Sequence, residues 1–367
     1  LPLSYPLTLC NVSHIIWKEI TLQEVEPLKR YIALLLASVL VMALPVSAEG
    51  SYDWPFIEKI PIDSAYTQQA EHRGKVEKLI YTTHSYALEA VASGEYLSAA
   101  DDNDTTPPVD REALCGDETE FLMEKSLCVY LPYGYDPSQQ YNVVYALHGT
   151  GAKEEYWLGD NRLGQSTCNM LDQMMERGEC APCIVVSPTY YSIPEDKAGL
   201  FTDYWNGDSL ANVWPMYFWE EMRGEIIPLI DSTYSTYADA PDAREHRAFV
   251  GLSRGSMTTV NSIMLHCLDQ FAYFGNFSGI WCDFDVFQET LESEEYQDLP
   301  IRFWYNGNGT TDFSLENQEE FLNTVLDEMA DRFEDGENFA FVVFPGGGHG
   351  FNCWLPDLYN CLRVFFQ

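Results

Sequence analysis

At 367 residues, 46% apolar and 14% aromatic, the chain is long enough to bury the core of one large α/β domain. Its 57 acidic against 20 basic residues leave a net charge of -37, which repels nucleic acid, anionic lipid and polyanionic substrates such as pectate. A surface of this kind suits neutral or weakly charged material, and no basic stretch interleaved with aromatics suggests a nucleic-acid groove.

Lys29-Arg30, the apolar run Tyr31 to Leu44 and the small residues of Pro45-Val46-Ser47-Ala48 have the three-part form of a secretory signal peptide, with cleavage expected after Ala48. The apolar run falls short of the ~18–20 residues that a membrane span requires. Residues 1–27 have no recognisable role and are read as an upstream extension that is not translated, with Leu28 as the start. Residues 28–48 are then the signal peptide, residues 49–367 a single domain, and the protein is expected outside the cell. Three basic residues (Lys18, Lys29, Arg30) and three acidic ones (Glu19, Glu24, Glu26) leave with the leader, so the mature charge stays at -37.

Gly74 to Thr83 alternates in part and predicts a first strand. Ala99 to Glu120, dense in Asp, Glu, Thr and Pro, predicts a solvated acidic loop. Ser126 to Pro132 predicts the next strand, and Gly134-Tyr135-Asp136-Pro137 turns the chain. Tyr141 to Leu147 is nearly continuous β-branched and apolar sequence, the pattern of a strand covered on both faces. Thr167 to Arg177 has helical spacing, and Ile184 to Pro188 predicts another buried strand. Phe218 to Tyr234 predicts a helix whose first turn carries Glu220 and Glu221, favourable to the helix dipole. A strand at Ala248 to Val250, a helix at Met257 to Leu268, Ala272 to Ile280, strands at Ile301 to Asn306 and Phe339 to Phe344, and a helix at Glu316 to Phe333 complete the series. Strands alternating with helices imply an α/β fold, a mostly parallel sheet covered on both faces. Of the ten cysteines, nine lie beyond Ala48. Cys180-Ala181-Pro182-Cys183 lacks the second pair or thioredoxin-like setting that zinc or redox chemistry needs, leaving a structural disulfide or unpaired core thiols.

Gly251-Leu252-Ser253-Arg254-Gly255 is a G-x-S-x-G sequence between a predicted buried strand and a predicted helix. In that setting it reads as a nucleophile elbow, which lifts the Ser253 hydroxyl clear of the sheet. Serine needs a base and the base needs an orienting acid, both expected after later strands. Only His266 and His349 follow Ser253; His266 lies within the elbow helix, whereas His349 sits in a glycine-rich loop after the last strand. Asp312 follows the Ile301–Asn306 strand and is the favoured acid over Asp283 and Asp285, which come too early. His148-Gly149-Thr150-Gly151, after a buried strand, reads as an oxyanion loop in which the Thr150 and Arg254 backbone N–H groups hold the developing charge.

These segments, with Val129-Tyr130-Leu131-Pro132, Ile184-Val185-Val186-Ser187-Pro188-Thr189-Tyr190-Tyr191 and Gly346-Gly347-Gly348-His349-Gly350-Phe351-Asn352-Cys353-Trp354, resemble family 1 of the carbohydrate esterases from about Gly74 to the C-terminus. The resemblance implies the α/β-hydrolase fold and a secreted serine esterase that removes feruloyl or acetyl groups from plant cell-wall xylan, a polysaccharide or oligosaccharide ester. It implies no metal and no organic cofactor; the acidic surface argues against a nucleic acid partner, and no membrane association is expected after signal cleavage. Trp157, Trp205, Trp281 and Trp354 lie in segments expected near the active-site end and are candidates to stack on an acyl group or sugar ring, with core packing as the competing reading. Two residues depart from the family pattern: Arg254, where many members are uncharged, and Thr150, in place of a glycine. The acidic insert has no counterpart. The alternatives are a general acyl esterase acting on small soluble esters and a non-catalytic carbohydrate-binding protein on the same fold; the intact Ser253, Asp312 and His349 set argues against the second.

Overall fold

A computed structural model describes residues 56–96, 109–200 and 213–367. The expected signal peptide, Trp205 and the first part of the acidic insert lie outside the described residues. Eight strands form one sheet in the order β1-β2-β4-β3-β5-β6-β7-β8: β1 (Lys75–His84), β2 (Leu122–Leu131), β3 (Asn142–Leu147), β4 (Cys183–Ser187), β5 (Arg247–Leu252), β6 (Tyr273–Phe277), β7 (Phe303–Gly309) and β8 (Phe339–Phe344). Strands β3 to β8 are parallel, while β2 runs antiparallel to both β1 and β4. With helices on both faces, this is the α/β-hydrolase fold that the sequence resemblance implies.

Side-chain alternation along the central strands divides the core in two. Tyr145 and Leu147 of β3, Phe249 of β5 and Trp304 of β7 meet α1 (Tyr86–Ser93), α3 (Val213–Glu221), α4 (Ile227–Thr233), α6 (Phe284–Leu291) and α7 (Leu315–Glu328). Val144, Ala146, Val250 and Tyr305 meet α2 (Arg162–Glu176) and the C-terminal α8 (Phe351–Val364) on the other face. Each fully buried valine or leucine in these layers contributes about 2 kcal/mol relative to exposure, which is why unbroken apolar runs become central strands. The edge strand β1 shows the contrary pattern, with Val76 and Ile80 exposed.

Local chemistry sets the element boundaries. Asn161 caps α2 by accepting from the Leu163 and Gly164 N–H groups, and Asp283 caps α6 through Val286 N–H. The helix predicted from Phe218 to Tyr234 begins earlier and is interrupted by a π turn, Met222–Ile226, just before Pro228, whose missing N–H already breaks the helical ladder. The predicted Met257–Leu268 helix instead starts at Arg254, as α5 (Arg254–Thr258), and widens into a π turn at Thr259–Met264. There the Thr258 and Thr259 hydroxyls donate to the carbonyls of Arg254 and Gly255 one turn back. The described end of the acidic insert is not wholly a solvated loop: Asp110 caps a single helical turn, Arg111–Leu114, which buries Leu114 and Cys115. All nine cysteines of the described residues are unpaired thiols, including Cys180 and Cys183, which sit in the α2 and α8 core.

Candidate active site

Strand β5 ends at Leu252 and the chain reverses at Ser253, which takes φ 53° and ψ -120°. Such a conformation costs a non-glycine residue on the order of 1–3 kcal/mol and persists only where surrounding structure enforces it. The Ser253 N–H donates to the Phe277 carbonyl at 2.8 Å, and its own carbonyl accepts from Ser256 and Met257 N–H. Both glycines of the motif are required by close approach rather than by their own torsions. A Cβ on Gly251 would overlap the Gly255 peptide, and one on Gly255 would overlap the His148 carbonyl.

His349 and Asp312 come from two loops fastened together. Thr311 N–H and Oγ1–H both donate to the Gly347 carbonyl, at 2.8 and 2.7 Å, and Gly346 N–H donates to Thr310 Oγ1 at 2.8 Å. At this junction Gly309 packs backbone on backbone against Gly347. The result is a continuous hydrogen-bonded row. Ser253 Oγ–H donates to His349 Nε2 at 2.9 Å, and His349 Nδ1–H donates to the Asp312 carboxylate at 2.9 and 3.0 Å. Burial pushes the Asp312 carboxyl upward, but hydrogen bonds from His349, Ser314 N–H, Ser278 and the Ser314 hydroxyl outweigh it and hold the group at about 2. An ionised Asp312 only accepts, so the His349 proton sits on Nδ1 and Nε2 is left to take the serine proton.

The structure places the other sequence candidates less uniformly. Thr150 and Arg254, the two departures from the family pattern, are bonded to each other: Arg254 Nε donates to Thr150 Oγ1 at 2.9 Å. Asp283 caps α6 and Asp285 is exposed in its first turn, so neither reaches His349. His266 stacks on Trp219 at 4.9 Å, on the elbow helix and away from the row.

Of the four tryptophans, Trp157 is corrected outright. It is wholly buried, donates to the Leu147 carbonyl at 3.2 Å, and is a core residue rather than a substrate contact. Trp354 is also buried, yet it meets the His349 ring edge-to-face at 5.2 Å and donates to Ser278 Oγ at 2.7 Å. It packs against the imidazole and offers little of its ring to solvent. Trp281 is half-buried, with its ring 6.5 Å from that of Phe313. Trp205 lies outside the described residues.

Two site residues escape a reading of the sequence. Ser278 is buried in a left-handed turn after β6 and passes a hydrogen-bond chain from Trp354 to Asp312. Phe313 is 72% exposed and lies 4.5 Å from the His349 ring. Only its adjacency to Asp312 marked it, whereas nothing in Phe277-Ser278-Gly279 signals a role.

The chain matches the family model described as putative esterase over residues 122–365, a span that contains Ser253, Asp312 and His349. It is 33% identical over 260 residues to endo-1,4-beta-xylanase Y of Acetivibrio thermocellus, a match covering 66% of this chain and 22% of that protein. The chain thus spans about a fifth of that relative's length. A mutant of the feruloyl esterase module from Clostridium thermocellum, complexed with sinapinate, is 26% identical with a TM-score of 0.60, covering 85% of this chain and 95% of the module. A CE1 ferulic acid esterase from the anaerobic fungus Anaeromyces mucronatus shares the fold at 19% identity and a TM-score of 0.60, covering 86% and 98% of the two chains.

Proposed function

Because the chain belongs to the esterase family, we propose that it is a serine carboxylic-ester hydrolase cleaving feruloyl-type esters of plant cell-wall xylan. The observation that carries this is the Ser253–His349–Asp312 row at a strained elbow. Ser253 Oγ attacks the ester carbonyl as His349 Nε2 takes its proton. The resulting oxyanion is met by the Thr150 and Arg254 N–H groups. The tetrahedral species collapses to an acyl-enzyme as His349 returns the proton to the departing sugar oxygen. Water activated by the same nitrogen then releases the acid. Asp312 steadies the imidazolium at both stages.

The exposed Phe313 and the half-buried Trp281 form an aromatic rim beside His349, which favours a flat aromatic acyl group over acetyl. The sinapinate-bound relative supports the same preference. On a panel of methyl ferulate, methyl sinapinate, aryl acetate and acetylated xylan, kcat/KM for the hydroxycinnamates is expected to exceed that for the acetyl esters at least tenfold. Equal or reversed preference would return the acyl assignment to acetyl or to a general esterase. A fluorophosphonate is expected to label Ser253, and an unlabelled protein with no turnover on any ester would leave a carbohydrate-binding role. We further propose export, from the Lys29 to Ala48 signal; N-terminal sequencing of protein from the medium is expected to begin near Glu49, and residues 2–27 in that product would refute it.

A further inference from the structure

His148 opens the loop that follows β3, and its side chain is fully buried between Tyr190 and Tyr191, with ring centroids at 4.8 and 5.6 Å. It lies outside the Ser253–His349–Asp312 row, yet both ring nitrogens are engaged. Nδ1 is 2.7 Å from the Gly149 carbonyl oxygen and Nε2 is 2.7 Å from Thr189 Oγ1. A carbonyl only accepts, so Nδ1 carries the proton, and Thr189 Oγ1–H must then donate to Nε2. Burial pushes the imidazolium down to about 4, so the ring stays neutral around pH 7 and this tautomer is the one maintained.

The Gly149 carbonyl and the Thr150 N–H belong to one peptide unit. Because that unit is planar and trans, its C=O and N–H point in opposite directions, and fixing one aims the other. The short hydrogen bond from His148, together with a longer one from Ala152 N–H at 3.3 Å, therefore sets the direction of the Thr150 N–H. Thr189 is itself anchored from below. Lys125 Nζ, almost wholly buried, donates to the Thr189 carbonyl at 2.7 Å, to Ser192 Oγ at 3.1 Å and to Glu221 Oε2 at 2.7 Å, so all three of its protons are used. Tyr81 Oη donates to the other Glu221 oxygen at 2.6 Å. A buried ion pair contributes little net stability but fixes geometry where every donor is satisfied.

We propose that Thr189, held by the Lys125–Glu221 pair, is a positioning residue for oxyanion binding. By donating to Nε2 it holds the Nδ1–H tautomer of His148 that the Gly149 carbonyl demands, and so keeps the Thr150 N–H aimed at the reacting carbonyl through the Gly149 peptide. The inference rests on the esterase reading only in the last link, the use of that N–H.

Thr189→Val keeps the shape and removes the hydroxyl, while Thr189→Ser keeps the hydroxyl. On an aryl ester, Thr189→Val is expected to lower kcat about tenfold to hundredfold with KM within about twofold, the signature of an interaction made in the transition state, and Thr189→Ser is expected to stay within about threefold of wild type. A structural role alone would lower the melting temperature without separating kcat from KM. Nitrogen-15 spectra of the histidine rings supply an independent reading, with His148 expected to show a protonated Nδ1 and a bare Nε2 that does not titrate between pH 5.5 and 8. Wild-type kcat in Thr189→Val, or a proton on Nε2 in the wild-type protein, overturns the proposal. If the wild type turns over no ester, the esterase reading has failed, and the ring spectra alone still decide whether Thr189 holds the tautomer.

Discussion

Asp312 is the residue on which the site's electrostatics turn. Asp312→Asn keeps the shape but loses the charge that fixes the His349 tautomer. On that ground kcat is expected to fall about ten-thousand-fold with KM little changed, as when the triad aspartate of a serine protease becomes asparagine. Asp283→Asn and Asp285→Asn, at a helix cap and on an exposed first turn, are expected to retain most activity. Steady-state kinetics of the three variants, with folding checked by circular dichroism, decides between them. The same carboxylate links pH to stability. Its value of about 2 in the folded protein lies below the ordinary 3.8, so folding favours the ionised form. The gap corresponds to roughly 2 kcal/mol, present above pH 4 and lost as the pH falls towards 2. Urea unfolding of wild type and Asp312→Asn from pH 6 to 2.5 is expected to show their difference in stability narrowing below pH 4. A constant difference would contradict the assignment.

At the scale of elements, the elbow depends on backbone contact between β5, α5 and the loop after β3. Gly251→Ala drives a methyl into the Gly255 peptide and is expected to cost about 3 kcal/mol, read as a lower denaturation midpoint, together with most of the activity. A midpoint equal to wild type would show that the turn has slack. This element was readable in the sequence because its constraint is local: two small residues flanking a serine, after a buried run. Asp312 and His349 were readable by position, since the fold orders the loops that carry them. What escaped depends on contacts between distant segments. Trp157 and Trp281 look alike as residues, and only packing shows that one is sealed beneath the sheet's end and the other reaches the rim. Ser278 matters because of Trp354, 76 residues away, and no pattern within either segment encodes that bond. The π turns likewise follow from Pro228 and the Thr258–Thr259 hydroxyls acting within packed helices, where period alone predicts continuous α-helix.

At the scale of the whole molecule, the two apolar layers hold the described residues together, with no disulfide among them. Burial pushes the Cys128 and Cys353 thiols up to about 11 and those of Cys168, Cys180, Cys267 and Cys282 up to about 12, leaving them protonated and poorly nucleophilic at neutral pH. A reductant is therefore expected to leave the melting temperature unchanged, and a thiol reagent to react fully only after denaturation. A fall in melting temperature with dithiothreitol would reveal a cross-link instead. The placement of His349 has a separate consequence. Its loop follows β8, which pairs with β7 alone among the described strands, whereas Ser253 stands at the end of a central one. Marginal strands open more readily than the middle of a sheet, and such opening needs far less free energy than global unfolding. Mild denaturant is thus expected to silence turnover while β3 and β5 amides still resist hydrogen exchange, with β8 amides exchanging in step with the lost activity. Turnover would be lost from the sheet's margin inward, with Ser253 still in place and His349 displaced from it.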